Sequence, residues 1–222
     1  MDTLISILGW FTLGLLITAF IISILRKGNK RLVAIQIYVL LSILLYLTID
    51  ILSLIPANEN YRNFGQVLNN LNSLLEISLI HIFLYSRIKS KSFRSIILIF
   101  SLVYICISFL VWHFIDKSIY SFVPDLFGIE GILILIPCLF YVFELLKSDL
   151  EIDLISNPSF IVTCGLLFYF SITIPIWFSW YNLYFIAKEF SKILILAITI
   201  SFIILIISFM KAFLCPIHNQ QP

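Results

Sequence analysis

The sequence predicts an all-α polytopic membrane protein of seven transmembrane helices, with its N-terminus outside and its C-terminus in the cytoplasm. Three observations predict it. Of the 222 residues, 61% are hydrophobic and only 12% charged, and the mean hydropathy is +1.10. Soluble domains lie nearer about 45–50% apolar and about 25% charged, so lipid must be the solvent for most of these side chains. Seven apolar segments follow one another, each long enough to cross a hydrocarbon layer about 30 Å thick with modest tilt. The loops between them divide Lys and Arg unequally, ten on one side and four on the other.

The predicted spans are 4–25, 32–55, 66–87, 95–115, 123–146, 158–179 and 190–213. Asp2 is the only charge ahead of the first, and a cleaved signal peptide would need basic residues there. The basic residues come after it instead, as Arg26, Lys27, Lys30 and Arg31, which reads as a first span inserted with its N-terminus outside. Arg87, Lys89, Lys91 and Arg94 in the 3–4 loop, with Lys147 and Lys211, join them on the cytoplasmic side. Arg62, Lys117, Lys188 and Lys192 lie opposite. Trp10, Trp112, Trp177 and Trp180 then all fall in the outer half, near Tyr120, Tyr181 and Tyr184, where an aromatic belt is expected.

Backbone signals refine the later spans. Asn157-Pro158 caps and opens span 6. Pro137 in span 5 and Pro175 in span 6 each free an upstream carbonyl and are expected to kink their helices. The 5–6 loop interleaves Asp149, Glu151 and Asp153 with Leu150, Ile152, Leu154 and Ile155. It reads equally as an interfacial segment or a solvated acidic loop. The connections are short, so residues 1–222 form a single seven-helix domain, without an internal repeat.

Span 3 is the exception to this apolar pattern. It carries Asn69, Asn70, Asn72, Ser73, Glu76 and His81. Glu76 lies ten residues from Gln66 and eleven from Arg87. At about 1.5 Å per residue its carboxyl sits near the bilayer midplane, where an ionisable group costs at least ~2.5 kcal/mol. Such a group faces the protein interior or a wet cavity. Helical periodicity puts Asn69, Asn72 and Glu76 on one stripe, and Asn70, Ser73 and His81 on a second. Asp50, His113, Glu130 and Lys192 supply polar groups in the outer halves of spans 2, 4, 5 and 7. The candidate ligand- or ion-binding residues are therefore Glu76, Asn72, Asn69, His81, Asp50, Glu130 and His113, lining an outward-opening cavity that narrows towards Glu76. The plainer reading is that the asparagines and Glu76 hold the bundle together by interhelical hydrogen bonds. Glu76 is expected to be buried between helices, neutral, and hydrogen-bonded to another span, with His81 on a different face.

Several chemistries are set aside. The sequence has no H-E-x-x-H, no G-x-S-x-G and no phosphate-cradling glycine loop. His113 and Asp116 form only an H-x-x-D, read as a boundary histidine with a solvated aspartate. Cys106, Cys138, Cys164 and Cys215 are scattered without a C-x-x-C pair and read as small apolar side chains. Span 7 has lysines only at its ends, Lys192 and Lys211, so none could hold retinal. No enzyme, metal or cofactor is expected. A net charge of +2 gives no reason to expect nucleic acid.

The run N-N-L-N-S-L-L-E-I-S-L-I-H-I-F-L-Y-S-R, and later N-P-S-F-I-V-T-C-G-L-L-F-Y-F, resembles a group of small, uncharacterised seven-span proteins common in Bacteroidota. Glu76, Pro158, Phe160, Gly165, Leu167, Tyr169 and Phe170 match, over spans 3–6. That group carries F-W where this chain has Phe160-Ile161. The resemblance implies a multi-pass protein of a bacterial inner membrane and an expectation of sensing or signalling. The leading functional expectation is a receptor-like module with a cytoplasmic partner. The alternatives are a transporter or channel subunit using Glu76 as a proton- or cation-binding carboxyl, and a structural subunit of an envelope complex. Besides the lipid bilayer, no partner or oligomeric state is specified.

Overall fold

A computed structural model describes residues 2–26, 32–53, 59–115, 119, 122–147, 154–186 and 188–215. Long apolar runs in lipid have one open-ended way to satisfy their backbone, the helix, and the chain takes it seven times. The helices are α1 (Asp2–Leu25), α2 (Val33–Ser53), α3 (Glu59–Tyr85), α4 (Lys91–Leu110), α5 (Pro124–Lys147), α6 (Pro158–Ile186) and α7 (Lys188–Leu214). All seven contain stretches long and apolar enough to cross a membrane, and no strand occurs among the described residues. The fold is that of a multi-pass, all-α membrane protein. Its outer surface presents large apolar side chains such as Ile7, Ile82, Leu102 and Phe109.

Local chemistry sets the helix ends. Asn157 Oδ1 accepts the Ser159 and Phe160 amides at 3.0 and 3.2 Å, the cap expected from Asn-Pro. α4 runs on into a π-helical turn, Val111–Ile115, which carries His113. Its other end is held from outside: the Glu144 carboxylate of α5 accepts the amides of Lys89 (2.8 Å) and Ser90 (3.0 Å). Hydroxyls inside the apolar helices turn back on the preceding turn, as Thr12 does to Leu8 O at 2.7 Å and Thr163 to Ser159 O at 2.8 Å. Both α5 and α6 continue through their prolines, Pro137 and Pro175.

Packing follows a ring. α1 packs on α2, α2 on α3, α3 on α5, α5 on α6, α6 on α7, and α7 back on α1, with α4 set outside against α3 and α5. Glycines bring the later helices close. A Cβ on Gly131 of α5 would lie 2.6 Å from Ile174 Cγ1, and one on Gly165 of α6 2.7 Å from Ser208 Cβ. Without a solvent to drive helices together in lipid, such close approach is a main source of association.

The bundle is dense at one end and hollow at the other. The fully buried side chains Leu16, Ile35, Val39, Ile80, Leu84, Val162, Leu166, Leu205 and Phe209 concentrate in the half away from the N-terminus. At the N-terminal end, α1 has no buried residue from Thr3 to Phe11, nor α2 from Leu44 to Ile51. The space between the helices there is the candidate site.

The 5–6 loop acids, Asp116 of the H-x-x-D pair, Lys117 and Tyr120 lie outside the described residues, as do Lys27, Lys30 and Arg31.

Candidate functional site, a one-ended acidic cavity

The hollow end encloses a cavity of about 530 Å³, within the range of about 300–1,000 Å³ usual for small-molecule sites. Six helices line it, and α4 contributes nothing. α2 presents Tyr38, Ser42, Tyr46 and Asp50, four residues spaced by four and so stacked on one face. α3 presents the stripe Asn69, Asn72 and Glu76. Glu130 enters from α5, Tyr169, Phe170 and Trp177 from α6, and Thr199 and Phe202 from α7. Ile5, Ser6, Gly9 and Trp10 of α1 complete the wall.

Glu76 forms the deep end with α2. The Tyr38 hydroxyl donates to Glu76 Oε1 at 3.2 Å, an interhelical bond between a buried tyrosine and a half-buried carboxyl. Beneath them Tyr38 meets Phe209 of α7 edge to face, with ring centroids 5.9 Å apart. Higher up, Tyr46 stacks with Phe202 at 6.2 Å, and Phe202 also touches Tyr169 at 5.7 Å. Phe122, Phe127, Trp177 and Trp180 form an aromatic group near the mouth, with Phe127–Trp177 and Trp177–Trp180 centroids 5.3 and 5.4 Å apart.

Glu130 is held on its other side. Ser73 Oγ donates to Glu130 Oε2 at 2.5 Å, and since a hydroxyl has one hydrogen, the Tyr104 hydroxyl of α4 is the donor in its contact with Ser73. Glu130 is only 3% exposed, yet its Oε1 has no hydrogen-bond partner among the described residues. Asp50, Glu76 and Glu130 thus give the lining three acids, and among the described residues no Lys, Arg or His forms part of it.

The second stripe of α3 serves a different purpose. Asn70 Nδ2 donates to the Ile119 carbonyl at 2.7 Å, anchoring the 4–5 connection. His81, 2% exposed, bridges α4 and α5: Nδ1 lies 2.6 Å from Ser101 Oγ and Nε2 3.0 Å from the Leu133 carbonyl. A carbonyl can only accept, so Nε2 carries a hydrogen. Leu133 lies four residues before Pro137, and its carbonyl is therefore the one that the proline leaves without a helical donor. His81 supplies that donor from α3.

Five of the sequence candidates therefore meet in the cavity: Glu76, Asn72, Asn69, Asp50 and Glu130. Two do not, and this corrects the expectation that they line it. His81 is occupied between α3, α4 and α5, because it faces away from Glu76 and towards the gap that Pro137 creates. His113 is exposed, with its ring against Phe114 at 4.7 Å, because the π-helical turn ends α4 outside the ring. Lys192 is also absent from the lining. The expected aromatic belt divides: Trp10 is 63% exposed, Trp177 faces the cavity, and Trp112 is buried. Sequence reasoning missed Tyr38, Tyr46 and Tyr169, although the four-residue spacing from Tyr38 to Asp50 marks a polar stripe on α2.

No protein-family model matches the chain, and no characterised protein or solved structure was found similar to it. The site is therefore read on its own geometry.

Proposed function

We propose that this protein is a receptor-like seven-helix membrane module that binds a small ligand in the acidic cavity. The observation that carries the reading is the contrast between the two halves of the bundle. A cavity lined by six helices reaches down to Glu76 and Glu130, and below it buried, largely apolar side chains close the space. A pocket with a floor binds; it does not conduct. Helices that all touch one ligand are also the elements that a ligand can shift together. The ten-to-four distribution of Lys and Arg supports an outside N-terminus, which turns the mouth of the cavity outward and the basic 1–2 and 3–4 loops towards a cytoplasmic partner. A bacterial inner membrane is the proposed location.

One observation favours a second reading, transport with Glu76 as the exchanging carboxyl. α5 has a backbone gap at Leu133–Pro137, bridged only from the side by His81, and a helix can bend at such a place to open the floor.

The test is a ligand screen by thermal stabilisation of the full chain in nanodiscs, repeated on Asn72→Trp and Thr199→Trp, which fill the cavity from opposite walls. A stabilising compound should lose its effect in both variants. Retention of the full effect in both would place its site elsewhere and overturn the reading. Uptake of the same compound into proteoliposomes would favour transport over reception.

A further inference from the structure

A second concavity lies at the other end of the bundle and shares no residue with the acidic cavity. It is a groove of about 380 Å³ between the start of α6 and the end of α7. Phe160, Ile161 and Cys164 form one wall, Ile204 and Ile207 the other, and Ile155 of the short turn before α6 adds to it. The groove faces outward, with Ile155 70% and Ile207 50% exposed. Its origin is local. Gly165 lets α6 and α7 touch, since a Cβ there would stand 2.7 Å from Ser208 Cβ, and the small, exposed side chain of Cys164 leaves the space beside that contact open. The Ser208 hydroxyl donates to the Ile204 carbonyl at 3.0 Å, so the walls present carbon.

Charge enters at one place. Among the described residues that line the groove, only Lys211 is charged, and it lies in the last turn of α7. The helix ends and loops on that side of the molecule carry ten Lys and Arg against four acids, Glu144, Asp149, Glu151 and Asp153. An apolar trough that opens to the bilayer and ends at a cation, on a basic rim, matches a ligand with an apolar chain and an anionic head. We infer that the groove is a binding site for an anionic phospholipid, one acyl chain lying between α6 and α7 and the phosphate at Lys211. The inference is independent of how the acidic cavity is read. Neighbouring classes fit less well. A polar solute finds no hydrogen-bonding wall. From Ile204 to Lys211 the groove runs only about 10 Å, and a helix about 10–12 Å across would overfill it. A zwitterionic phospholipid fills the trough but brings no net charge to Lys211 and the basic rim.

The experiment titrates the delipidated full chain in detergent with dimyristoyl phosphatidylglycerol, dimyristoyl phosphatidylcholine and myristic acid, counting bound lipid by native mass spectrometry. One phosphatidylglycerol should bind saturably, about fivefold tighter than phosphatidylcholine, the effect of one lysine beside an anionic headgroup. Lys211→Gln should remove that preference and leave phosphatidylcholine unchanged. Cys164→Trp, which fills the groove, should weaken both phospholipids, whereas Leu102→Trp, on the exposed face of α4, should weaken neither. Uptake without saturation, or equal affinity for the two phospholipids, would reveal an annular shell and overturn the inference. Myristic acid binding as tightly as phosphatidylglycerol would overturn the phospholipid, and an unchanged preference in Lys211→Gln would overturn the role of Lys211. Should Cys164→Trp fail to fold, the comparison of lipids on the unaltered chain and on Lys211→Gln, an exposed position, decides.

Discussion

At the scale of single residues, several of the polar groups of α3 are answered by a partner on another helix. Glu76 shows the pattern, with Tyr38 of α2 donating to it across the deep end of the cavity. Glu76→Gln keeps an acceptor for that hydroxyl and is expected to fold normally. Glu76→Leu removes it, and should lower stability by about 0.6–1.7 kcal/mol, the measured range for interhelical hydrogen bonds in a membrane protein. Denaturation in mixed micelles, comparing both variants with the parent, checks this; equal stability of Leu and Gln would show that the bond contributes nothing. Glu144 is the residue that sequence reading passed over. It lies near a helix end, and its two bonds are to the amides of Lys89 and Ser90, 55 and 54 residues away in sequence. Nothing local could have revealed them. Glu144→Ala should loosen the start of α4, seen as faster amide exchange at Lys89 and Ser90 with α5 unaffected.

At the scale of helices, Pro137 and His81 belong to one device. The proline removes a backbone donor from α5, and the histidine of α3 restores one to the orphaned Leu133 carbonyl at 3.0 Å. His81→Ala should cost about 1–3 kcal/mol, because it leaves a buried acceptor unpaired. Pro137→Ala restores the N–H within α5, so the double variant should recover part of that loss. A double-mutant cycle measured by unfolding reads the coupling, and strict additivity would refute the linkage. Close helix contacts give a second prediction with a built-in comparison. Gly165→Ala meets Ser208 Cβ at 2.7 Å, an atom fixed to the backbone, whereas Gly131→Ala meets Ile174 Cγ1 at 2.6 Å, which a rotamer change can move. Overpacking at Gly165 should cost about 1–3 kcal/mol, and Gly131→Ala distinctly less. The reverse order in thermal stability would show that α5 and α6, rather than α6 and α7, are the rigid pair.

At the scale of the whole molecule, the bundle is a ring of six helices with α4 outside, solid at one end and hollow at the other. The expected orientation makes the hollow end the outer one. Reporter fusions after Arg31, Arg94 and Pro222 should all read cytoplasmic, and an external reading at Arg94 would reverse the mouth of the cavity. The seven spans were legible in advance to within a few residues, except that α4 begins at Lys91, α3 extends back to Glu59 and α6 runs on to Ile186. The extensions of α3 and α4 are polar turns beyond the apolar run, where hydropathy stops before the hydrogen-bonded helix does.

The sequence by itself determined the all-α membrane class, the number of spans, the cap at Asn157 and the division of α3 into two polar stripes. All of these are properties of one segment: length, hydropathy, and the angle between residues on a single helix. Only the tertiary structure decided that the first stripe faces a cavity while the second faces α4 and α5. It alone gave Glu130 its bond from Ser73, gave His81 to the Leu133 carbonyl, and put His113 outside the ring. The physical reason is that lipid offers apolar helices no preference for one neighbour over another. Neighbours are chosen by close approach at glycines such as Gly165 and by bonds such as His81 to Leu133, between residues on different helices. Helical periodicity within one segment cannot register them.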